Sequence, residues 1–507
     1  MSVVASRVTP TPSDQARSLG TWWWVWTLPA VVAFAVSSIR LGHRQLWRDE
    51  LATWVAARLS YPELAEESTR VDAVHGPYYA LMHAWVGLVG DSEVALRLPS
   101  VLAAAVAAGA TAEIGRRLYG PYAGLLAGLV LATAPAMSRY AQEARQYSAV
   151  VAMVAVATLV LILVVRRPSP ARWVAYGAVL AGAGLLHLLG LLVVPAHVAY
   201  LLASSRGRRA LLAPAFAAWA AAIAIVAPVL WYAQRQTGLV EWIPPTTLDR
   251  TLELAYELSG SEQLGLVLCL AGLAGCWPLD RRVLLLLTWA LGPFAALLLL
   301  SPVRDLLVAR YVLFALPAWC LLAAHGATGL AAVAWRWARR TAGLPRRMWV
   351  GPPRWLGIAA VALAVAALVP SVLAEHRDVR AIAVPGDSDV RRMAGLLARR
   401  LEPGDAVAIH GRHPRWMDRA LDYYLPAGID PPVVVRAWVG APPDDPSCAG
   451  AMSCLDGFDR LWLVNGRRGD DPLREMAPEL RAALQERFRI AETIRVRNGS
   501  LSLLVPR

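Results

Sequence analysis

The residues best suited to chemistry begin with two adjacent carboxylates, Asp49 and Glu50, which follow the first strongly apolar segment of the chain. A carboxylate at this place could take a proton from an acceptor hydroxyl or hold a divalent cation such as Mg²⁺ or Mn²⁺. The structural alternative is the first turn of a helix, where acidic side chains favour the positive end of the helix dipole. Neighbouring side chains on a helix diverge by about 100°, so one of the two could act while the other supports it.

A second group of reactive residues lies in the segment 138–148, which reads SRYAQEARQYS and contains Glu143 and Tyr147. Its two arginines, Arg139 and Arg145, face outward in the topology derived below, against the charge bias of the other short loops. An anionic headgroup or a phosphate ligand would explain them. The alternative is an ion pair between Glu143 and either arginine.

Two further cationic positions fall on the same face, Arg97 at the start of the second apolar span and Arg310, followed by Tyr311, at the start of the tenth. Three separate arginine sites on one face favour an anion site, because the guanidinium group binds phosphate with two parallel hydrogen bonds. His75 and His187 share this face, although a single histidine at a membrane boundary is often a hydrogen-bonded structural residue.

No sequence motif supports a soluble nucleotide substrate or a histidine metal site. The chain has no phosphate-binding glycine-rich loop of nucleotide type, no Gly-x-Ser-x-Gly and no His-Glu-x-x-His. A lipid-borne substrate that enters from the bilayer therefore fits better. No cofactor is certain, and a divalent cation at Asp49 and Glu50 is the one candidate.

The composition is that of a polytopic membrane protein. Of 507 residues, 57% are hydrophobic and only 17% are charged. The net charge of +13 comes entirely from arginine, since the sequence contains no lysine. These arginines cluster in short loops between apolar runs, which is how orientation in a bilayer is encoded, and nucleic-acid binding is not expected.

Apolar windows long enough to cross about 30 Å of hydrocarbon predict about eleven transmembrane helices. They lie near 22–39, 96–114, 122–138, 149–165, 211–231, 264–277, 283–300, 311–330 and 355–373, with a hairpin of two short helices at 174–202. Residues 1–20 are polar and are predicted to be a disordered cytoplasmic N-terminus, followed by a retained signal anchor. The predicted fold class is an all-α polytopic membrane protein with a C-terminal soluble α/β domain.

The arginine pattern sets the predicted orientation, because cytoplasmic loops carry the excess of positive charge. Arginines cluster on one side at 116–117, 166–172, 206–209, 281–282 and 336–354. A cytoplasmic N-terminus then places the first long loop, 41–95, and the tail, 375–507, outside the cell membrane. The short apolar run 75–89 is interpreted as an interfacial or re-entrant helix.

The tail is charged and proline-rich, and it is predicted to be an extracytoplasmic α/β domain. Its patterns predict helices at 389–401 and 472–488 and strands at 406–410, 433–435 and 461–464. A disulfide between Cys448 and Cys454 is predicted on this oxidising side. Cys269, Cys276 and Cys320 lie in or beside spans and are expected to be packing residues.

Five short motifs follow one another between residues 22 and 319. They are Asp49-Glu50, His75-Gly76-Pro77-Tyr78-Tyr79, Leu96-Arg97-Leu98-Pro99-Ser100, the run YAQEARQY at 140–147, and Arg310-Tyr311 with Pro317. In this order they resemble membrane glycosyltransferases of the GT-C fold, specifically the protein O-mannosyltransferase and aminoarabinose transferase-like group, glycosyltransferase family 39. Gly76 stands where that family has a proline, which gives the loop beside His75 more backbone freedom.

The resemblance implies inverting transfer of mannose or another hexose or pentose from a polyprenyl-phosphate donor on the extracytoplasmic face. Asp49 would be the general base, and Arg145, Arg310 and Arg97 would stabilise the departing phosphate. Residues expected to orient substrate are Glu50, His75, Glu143, Tyr147, His187 and Tyr311. The acceptor would be a lipid, a polysaccharide or a protein, and membrane lipids surround the protein. Two alternatives remain, a transporter or flippase of lipid-linked sugars and a non-catalytic cell-envelope scaffold.

Overall fold

The computed structural model describes residues 22–204, 209–341, 366, 369–370, 372–380, 388–438, 453–467 and 471–507. Contacts divide the chain into two compact units. The first unit comprises Met1–Leu41 and Ala57–Val379. The second comprises Gly42–Ala56 and Arg380–Arg507, so a short early segment, with Asp49 and Glu50, packs with the tail.

The described part of the chain is mostly helical. In chain order its α-helices are α1 Trp24–Ser38, α2 Arg48–Arg58, α3 Tyr61–Arg70, α4 Gly76–Val89, α5 Glu93–Tyr119, α6 Pro121–Thr133, α7 Pro135–Ala141, α8 Tyr147–Arg166, α9 Pro170–Leu186, α10 Val194–Ser204, α11 Leu212–Ala233, α12 Leu248–Ser259, α13 Glu262–Gly275, α14 Arg281–Leu300, α15 Leu316–Thr341, α16 Val390–Leu397, α17 Pro414–Tyr424 and α18 Pro478–Arg487. A 3₁₀ segment at Leu188–Val193 links α9 to α10, and two more at Ala309–Tyr311 and Leu313–Ala315 lead into α15.

Five helical segments are long and apolar enough to cross a membrane: α5, α8, α11, α14 and Leu313–Thr341. The number rises to seven if each bent pair, α6 with α7 and α12 with α13, forms one span, and both counts refer to the described residues. A multi-pass membrane protein is therefore confirmed, whereas the predicted count of about eleven is not. Helix α1 has only 15 residues, and the window 355–373 falls mostly outside the described residues.

Small residues bring the membrane helices together. Gly124 on α6 packs against the backbone of α5, and Gly275 on α13 packs against Gly326 on α15. A Cβ atom at Gly275 or Gly326 would fall on the backbone of the facing helix. Close approach through glycine is a common solution in bilayers, where the lipid is as apolar as the helix surfaces and dispersion contacts must supply the attraction.

Arginine-bearing helix ends meet at one end of the first unit. Arg166 at the end of α8 donates to the carbonyl of Arg117 on α5. Arg282 at the start of α14 donates to the carbonyl of Leu118, also on α5. The structure thus brings together three of the arginine clusters that the sequence places on one side of the membrane.

The second unit contains a five-stranded sheet in the order β2-β1-β3-β5-β4. Its strands are β1 Ala406–Gly411, β2 Val433–Trp438, β3 Leu461–Asn465, β4 Phe488–Val496 and β5 Gly499–Pro506. Strand β1 pairs in parallel with β2 and β3, whereas β5 pairs antiparallel with β3 and β4. Leu461 and Leu463 of the sheet share an apolar core with Leu480 and Leu484 of α18.

Two features of the tail differ from the sequence prediction. The last helix begins at Pro478, not at Pro472, because residues 472–475 form turns and proline is favoured in the first turn of a helix. The β4–β5 hairpin was not predicted, although its Asn498-Gly499 turn, with Asn498 at φ 55°, is a strong hairpin signal.

The described cysteines include both a disulfide-bonded residue and free thiols. Cys454 is disulfide-bonded, while Cys448, its predicted partner, lies outside the described residues. Cys269, Cys276 and Cys320 are free thiols. Cys320 is fully buried in α15, in agreement with the predicted packing role.

Candidate functional site

His75 lies at the start of α4 and forms the centre of a hydrogen-bonded group. Its Nε2 is 3.0 Å from Nη2 of Arg145, and its Nδ1 is 2.6 Å from the side-chain amide of Gln146. Arginine can only donate, so Nε2 accepts and a neutral ring carries its hydrogen on Nδ1. The Gln146 amide must then turn its oxygen towards the ring, an orientation that hydrogen-bond balance decides because the two amide atoms have nearly the same shape.

The loop 142–146 fixes Arg145 between α7 and α8. The Arg145 side chain is 4% exposed, and its Nη1 donates to the hydroxyl of Tyr79 on α4 at 3.2 Å. Its backbone carbonyl accepts from Ser100 of α5 at 3.0 Å. Side chain and backbone are therefore both held, and the guanidinium is placed without needing a ligand to order it.

A second cation, Arg310, lies against three aromatic rings. Its Cζ is 4.9 Å from the centre of the Trp242 ring, 5.6 Å from Tyr311 and 5.9 Å from Tyr147. The His187 ring is 4.9 Å from the Tyr311 ring. These contacts tie together α8, the break after α9 and the 3₁₀ turn before α15, and they stabilise the half-buried Arg310 cation through the ring faces.

Arg145 and Arg310 act on the same two histidines. The pKa of His75 is well below its usual value, because the ring is buried and because Arg145, His187 and Arg310 are close. Burial, followed by Arg145 and Arg310, likewise lowers the pKa of His187. Both rings are therefore neutral at pH 7, and the positive charge of the group resides on the guanidinium groups.

A cavity of about 300 Å³ opens beside this group. Its polar lining residues are His75, His187, Arg304 and Tyr311, together with Gln234, Gln236 and Thr237. Most of the other lining is apolar and is contributed by Val74, Leu188, Leu189, Leu230, Ala233, Val240, Leu300 and Leu306. An apolar cavity with a few polar groups is the usual form of a ligand site. Here the lining includes one cation, Arg304, and two lining residues, His75 and Tyr311, contact Arg145 and Arg310.

Two other predicted residues make contacts within the protein. Arg97 is 1% exposed and donates to the carbonyl of Leu41 at 2.7 Å. Glu143 is 2% exposed and lies 3.6 Å from Nε of Arg139, the ion pair that was the structural alternative. Both residues have structural contacts, and their contact with substrate stays a prediction.

Asp49 and Glu50 belong to the second unit and differ in their surroundings. Glu50 is fully buried, and its Oε2 accepts from the backbone N–H of Trp47 at 3.2 Å, as expected for the first turn of a helix. The side chain of Asp49 is 18% exposed, with Oδ1 3.5 Å from Nε of Arg48. Asp49 is therefore the more accessible of the two carboxylates.

The divalent cation predicted at Asp49 and Glu50 stays a prediction. Glu50 is engaged with the backbone, and within the described ranges no group of three or more His, Cys, Asp or Glu side chains is placed to hold a metal ion. A cation here would have Asp49 as its more accessible protein ligand, since Glu50 is buried, and would need further ligands from water or substrate.

Three contributors to the site were not predicted from the sequence. Gln146, Ser100 and Trp242 position His75, Arg145 and Arg310, respectively. Gln146 and Ser100 lie inside the motifs already singled out, so motif membership was an available signal. Trp242 is far from any motif and is brought in only by the tertiary fold.

Comparison with known proteins confirms the resemblance to GT-C fold glycosyltransferases. Residues 74–232 match a family described as dolichyl-phosphate-mannose-protein mannosyltransferase. This range contains His75, Arg97, Arg145 and His187 but not Asp49. No curated protein matches the sequence.

Solved structures show the same fold over almost the whole chain. ArnT from Cupriavidus metallidurans in the apo state matches with a TM-score of 0.55 and 17% identity over 96% of this chain and 98% of that chain. The same protein bound to undecaprenyl phosphate matches with a TM-score of 0.54 and 17% identity, over 94% and 97%. The Archaeoglobus fulgidus oligosaccharyltransferase is a weaker match, with a TM-score of 0.48 and 11% identity over 88% and 70%.

Proposed function

We propose that the protein is an integral membrane glycosyltransferase that moves a sugar from a polyprenyl-phosphate donor to an acceptor hydroxyl on the extracytoplasmic face, with inversion. One observation carries the proposal: His75, His187, Arg304 and Tyr311 line a cavity whose other walls are mostly apolar, and Arg145 and Arg310 contact two of these lining residues, His75 and Tyr311. A phosphate joined to a long hydrocarbon chain has this same division of polarity. The sugar is mannose or another hexose or pentose.

The arginines supply the electrostatic part of the reaction. As the acceptor oxygen attacks the anomeric carbon, the bond from that carbon to the phosphate oxygen breaks and the phosphate keeps the electron pair. Arg145 and Arg310 stabilise the charge that develops there, and because protein contacts already hold them, little reorganisation is needed. The neutral His75 and His187 rings orient the phosphate without adding a titrating charge.

Asp49 is the proposed general base, which takes the acceptor proton as the new bond forms. The choice of Asp49 over Glu50 rests on exposure, since Glu50 is fully buried and bonded to the Trp47 backbone. A base must be within hydrogen-bond reach of the proton it removes, and a partly exposed carboxylate can meet an incoming acceptor.

The known proteins that resemble the chain support this class of donor. The matched family is named for dolichyl-phosphate-mannose, and one ArnT structure of the same fold holds undecaprenyl phosphate. The acceptor, whether lipid, polysaccharide or protein, is proposed only as a hydroxyl.

Purified protein in nanodiscs, supplied with radiolabelled polyprenyl-phosphate mannose or polyprenyl-phosphate arabinose and total cell-envelope acceptors, tests the proposal. Wild type should release polyprenyl phosphate and transfer label, and Asp49→Asn should lower transfer by about 10²- to 10⁴-fold. Asp249→Asn, a change in an exposed first-turn aspartate of α12, is the matched control and should retain activity.

Each rival function gives a different result in this assay. A flippase would move labelled donor across the bilayer without cleaving it, and a scaffold would do neither. Absence of cleavage with both donors would therefore contradict the proposal, and full activity in Asp49→Asn would contradict the assignment of the base.

A further inference from the structure

The segment that carries Asp49 is built into the C-terminal domain. Gly42–Ala56 forms one compact unit with Arg380–Arg507. Glu50, Leu51 and Thr53 of this segment are fully buried. A segment this short cannot form a core of its own, so residues from other parts of the chain must cover these side chains.

Hydrogen bonds fix the chain just before α2. The Gln45 side chain, 3% exposed, donates to the carbonyl of Ser388 at 2.7 Å and accepts from the backbone N–H of Arg391 at 3.3 Å. Nη1 of Arg391 donates to the carbonyl of His43 at 3.0 Å. The bond from Gln45 to Ser388 is buried, so it is costly to leave unmade, whereas the bond from Arg391 to His43 is exposed.

Tyr424, the last residue of α17, holds the chain three residues before Asp49. Its hydroxyl accepts from the backbone N–H of Leu46 at 2.7 Å. The Arg391 guanidinium lies over its ring at 5.4 Å. Arg391 therefore contacts both the segment itself and the tyrosine that holds it.

A second anchor lies five residues after Asp49. Trp54 of α2 packs edge-on against Tyr423 at 5.1 Å between ring centres, and Tyr423 packs in the same way on Tyr424 at 4.8 Å. One aromatic pair of the C-terminal domain thus holds the helix of Asp49 from both sides of that residue.

We propose that the C-terminal domain positions the general base, with Gln45, Arg391, Tyr423 and Tyr424 as positioning residues that act through Asp49. This inference rests on the proposed function, in which Asp49 takes the acceptor proton. A shift of about 1 Å in a catalytic group can cost on the order of a hundredfold in rate, so anchors on both sides of the base are a kinetic requirement and not only a source of stability.

A double-mutant cycle tests the inference on the full-length protein. Tyr424→Phe removes the hydroxyl that accepts from Leu46 but keeps the ring. Arg391→Lys keeps the positive charge but loses the planar guanidinium group that donates to His43. Each should lower kcat about tenfold with donor and acceptor KM unchanged. In an Asp49→Asn background, where no base remains to be positioned, neither should lower kcat further.

Thr493→Val is the matched control for loss of one hydroxyl in the same domain. Thr493 bonds Ser502 between β4 and β5 and makes no hydrogen bond to Gly42–Ala56, so kcat should be unchanged. Elution as a single species in detergent and an unchanged melting temperature show that each variant is folded. Arg391→Lys supplies the comparison if Tyr424→Phe does not fold.

The outcomes separate the two proposals. If Asp49→Asn keeps wild-type kcat, the proposed base is wrong. If Asp49→Asn loses activity while Tyr424→Phe and Arg391→Lys keep wild-type kcat, the positioning inference is overturned. It is equally overturned if their losses multiply with that of Asp49→Asn, or if they raise acceptor KM at constant kcat, which would make the domain an acceptor-binding module.

Discussion

Arg145 and Arg310, the two arginines of the candidate site, are held by different kinds of contact, so substitutions of the two are expected to have different effects. Arg145 is held by hydrogen bonds at Nη1, at Nη2 and at its carbonyl, whereas Arg310 is held by ring faces. Arg145→Gln should lower kcat by about 10²-fold, because one preformed donor to the leaving phosphate is lost. Arg145→Lys should recover part of this loss, because lysine keeps the positive charge but cannot make the two parallel hydrogen bonds of a planar guanidinium group.

Steady-state transfer with polyprenyl-phosphate mannose or polyprenyl-phosphate arabinose, whichever donor wild type uses, measures both variants. Product inhibition by polyprenyl phosphate gives an independent reading, since a weaker phosphate site should raise its inhibition constant. Unchanged kcat and unchanged product inhibition in Arg145→Gln would show that Arg145 is not part of the anion site.

His75 and His187 make stability depend on pH. Their pKa values are lowered in the folded protein, chiefly by burial. Below about pH 6.5 the unfolded chain therefore binds more protons at these positions than the folded chain, and stability falls as the pH drops. The melting temperature in detergent should decrease from pH 7 to pH 5.

His75→Gln tests that this pH dependence comes from the site. The variant cannot charge, so its melting temperature should fall less between pH 7 and pH 5 than that of wild type. His413→Gln, a change in the soluble domain, is not a neutral control, because His413 also has a lowered pKa through burial, Arg48 and Arg412. His43→Gln is the better control, and an equal pH slope in His75→Gln and His43→Gln would contradict the assignment.

Residue types and motifs identified much of the site, but not the contacts of each residue. Arg145, His75, His187, Arg310, Tyr147 and Tyr311 were predicted from the sequence, and the structure brings them together. Arg97 was assigned with them from its position on the same face, yet it bonds Leu41. Which way a buried side chain turns depends on its neighbours in space, and a charge pattern along the chain does not contain that information.

At the scale of elements, hydropathy located the membrane helices because a bilayer demands long apolar runs with internally bonded backbones. The bend between α6 and α7 and the packing of Gly42–Ala56 with the tail were not predictable in this way. Both depend on tertiary contacts between distant residues. The β4–β5 hairpin, by contrast, carried a readable turn signal at Asn498-Gly499.

Helix α15 offers a matched pair of glycines for testing how the bundle packs. A Cβ at Gly326 would fall on the backbone of α13, whereas a Cβ at Gly329, on the same helix, meets nothing within 4 Å. Gly326→Ala should therefore destabilise the protein by about 1–3 kcal/mol, as expected for overpacking. Gly329→Ala should be neutral or slightly stabilising, because alanine favours the helix.

Thermal melting of the two variants in detergent decides this comparison. A lower melting temperature in Gly326→Ala than in Gly329→Ala is the expected order. Equal melting temperatures would mean that α13 can move away from α15 without cost, and the close glycine contact would then not contribute to stability.

At the scale of the whole molecule, the second unit constrains how the chain crosses the membrane. Gly42–Ala56 and Arg380–Arg507 form one compact unit, so they must lie on the same side of the bilayer. An even number of crossings is therefore expected between Ala57 and Val379, and if the predicted signal anchor at 22–39 is one more span, the expected total is odd. The predicted count of eleven has this parity, although the count itself is not confirmed.

The arginine pattern along the sequence predicts the side of the membrane on which this unit lies. The ends of α5, α8 and α14 that carry Arg117, Arg166 and Arg282 meet, and Ser100, which holds the Arg145 loop, lies on α5 about 25 Å before Arg117 at 1.5 Å per residue. If the arginine end is cytoplasmic, as the charge bias requires, the Arg145 site lies towards the outer face.

Fusions to reporter proteins test this orientation. Alkaline phosphatase fused after Arg507 should be active, and a fluorescent protein at the same place should be dark. The same two fusions after Ser204, beside the arginines at 206–209, should give the opposite pattern. A fluorescent C-terminal fusion with inactive phosphatase would place the tail and Asp49 inside, and the proposed extracytoplasmic reaction would be wrong.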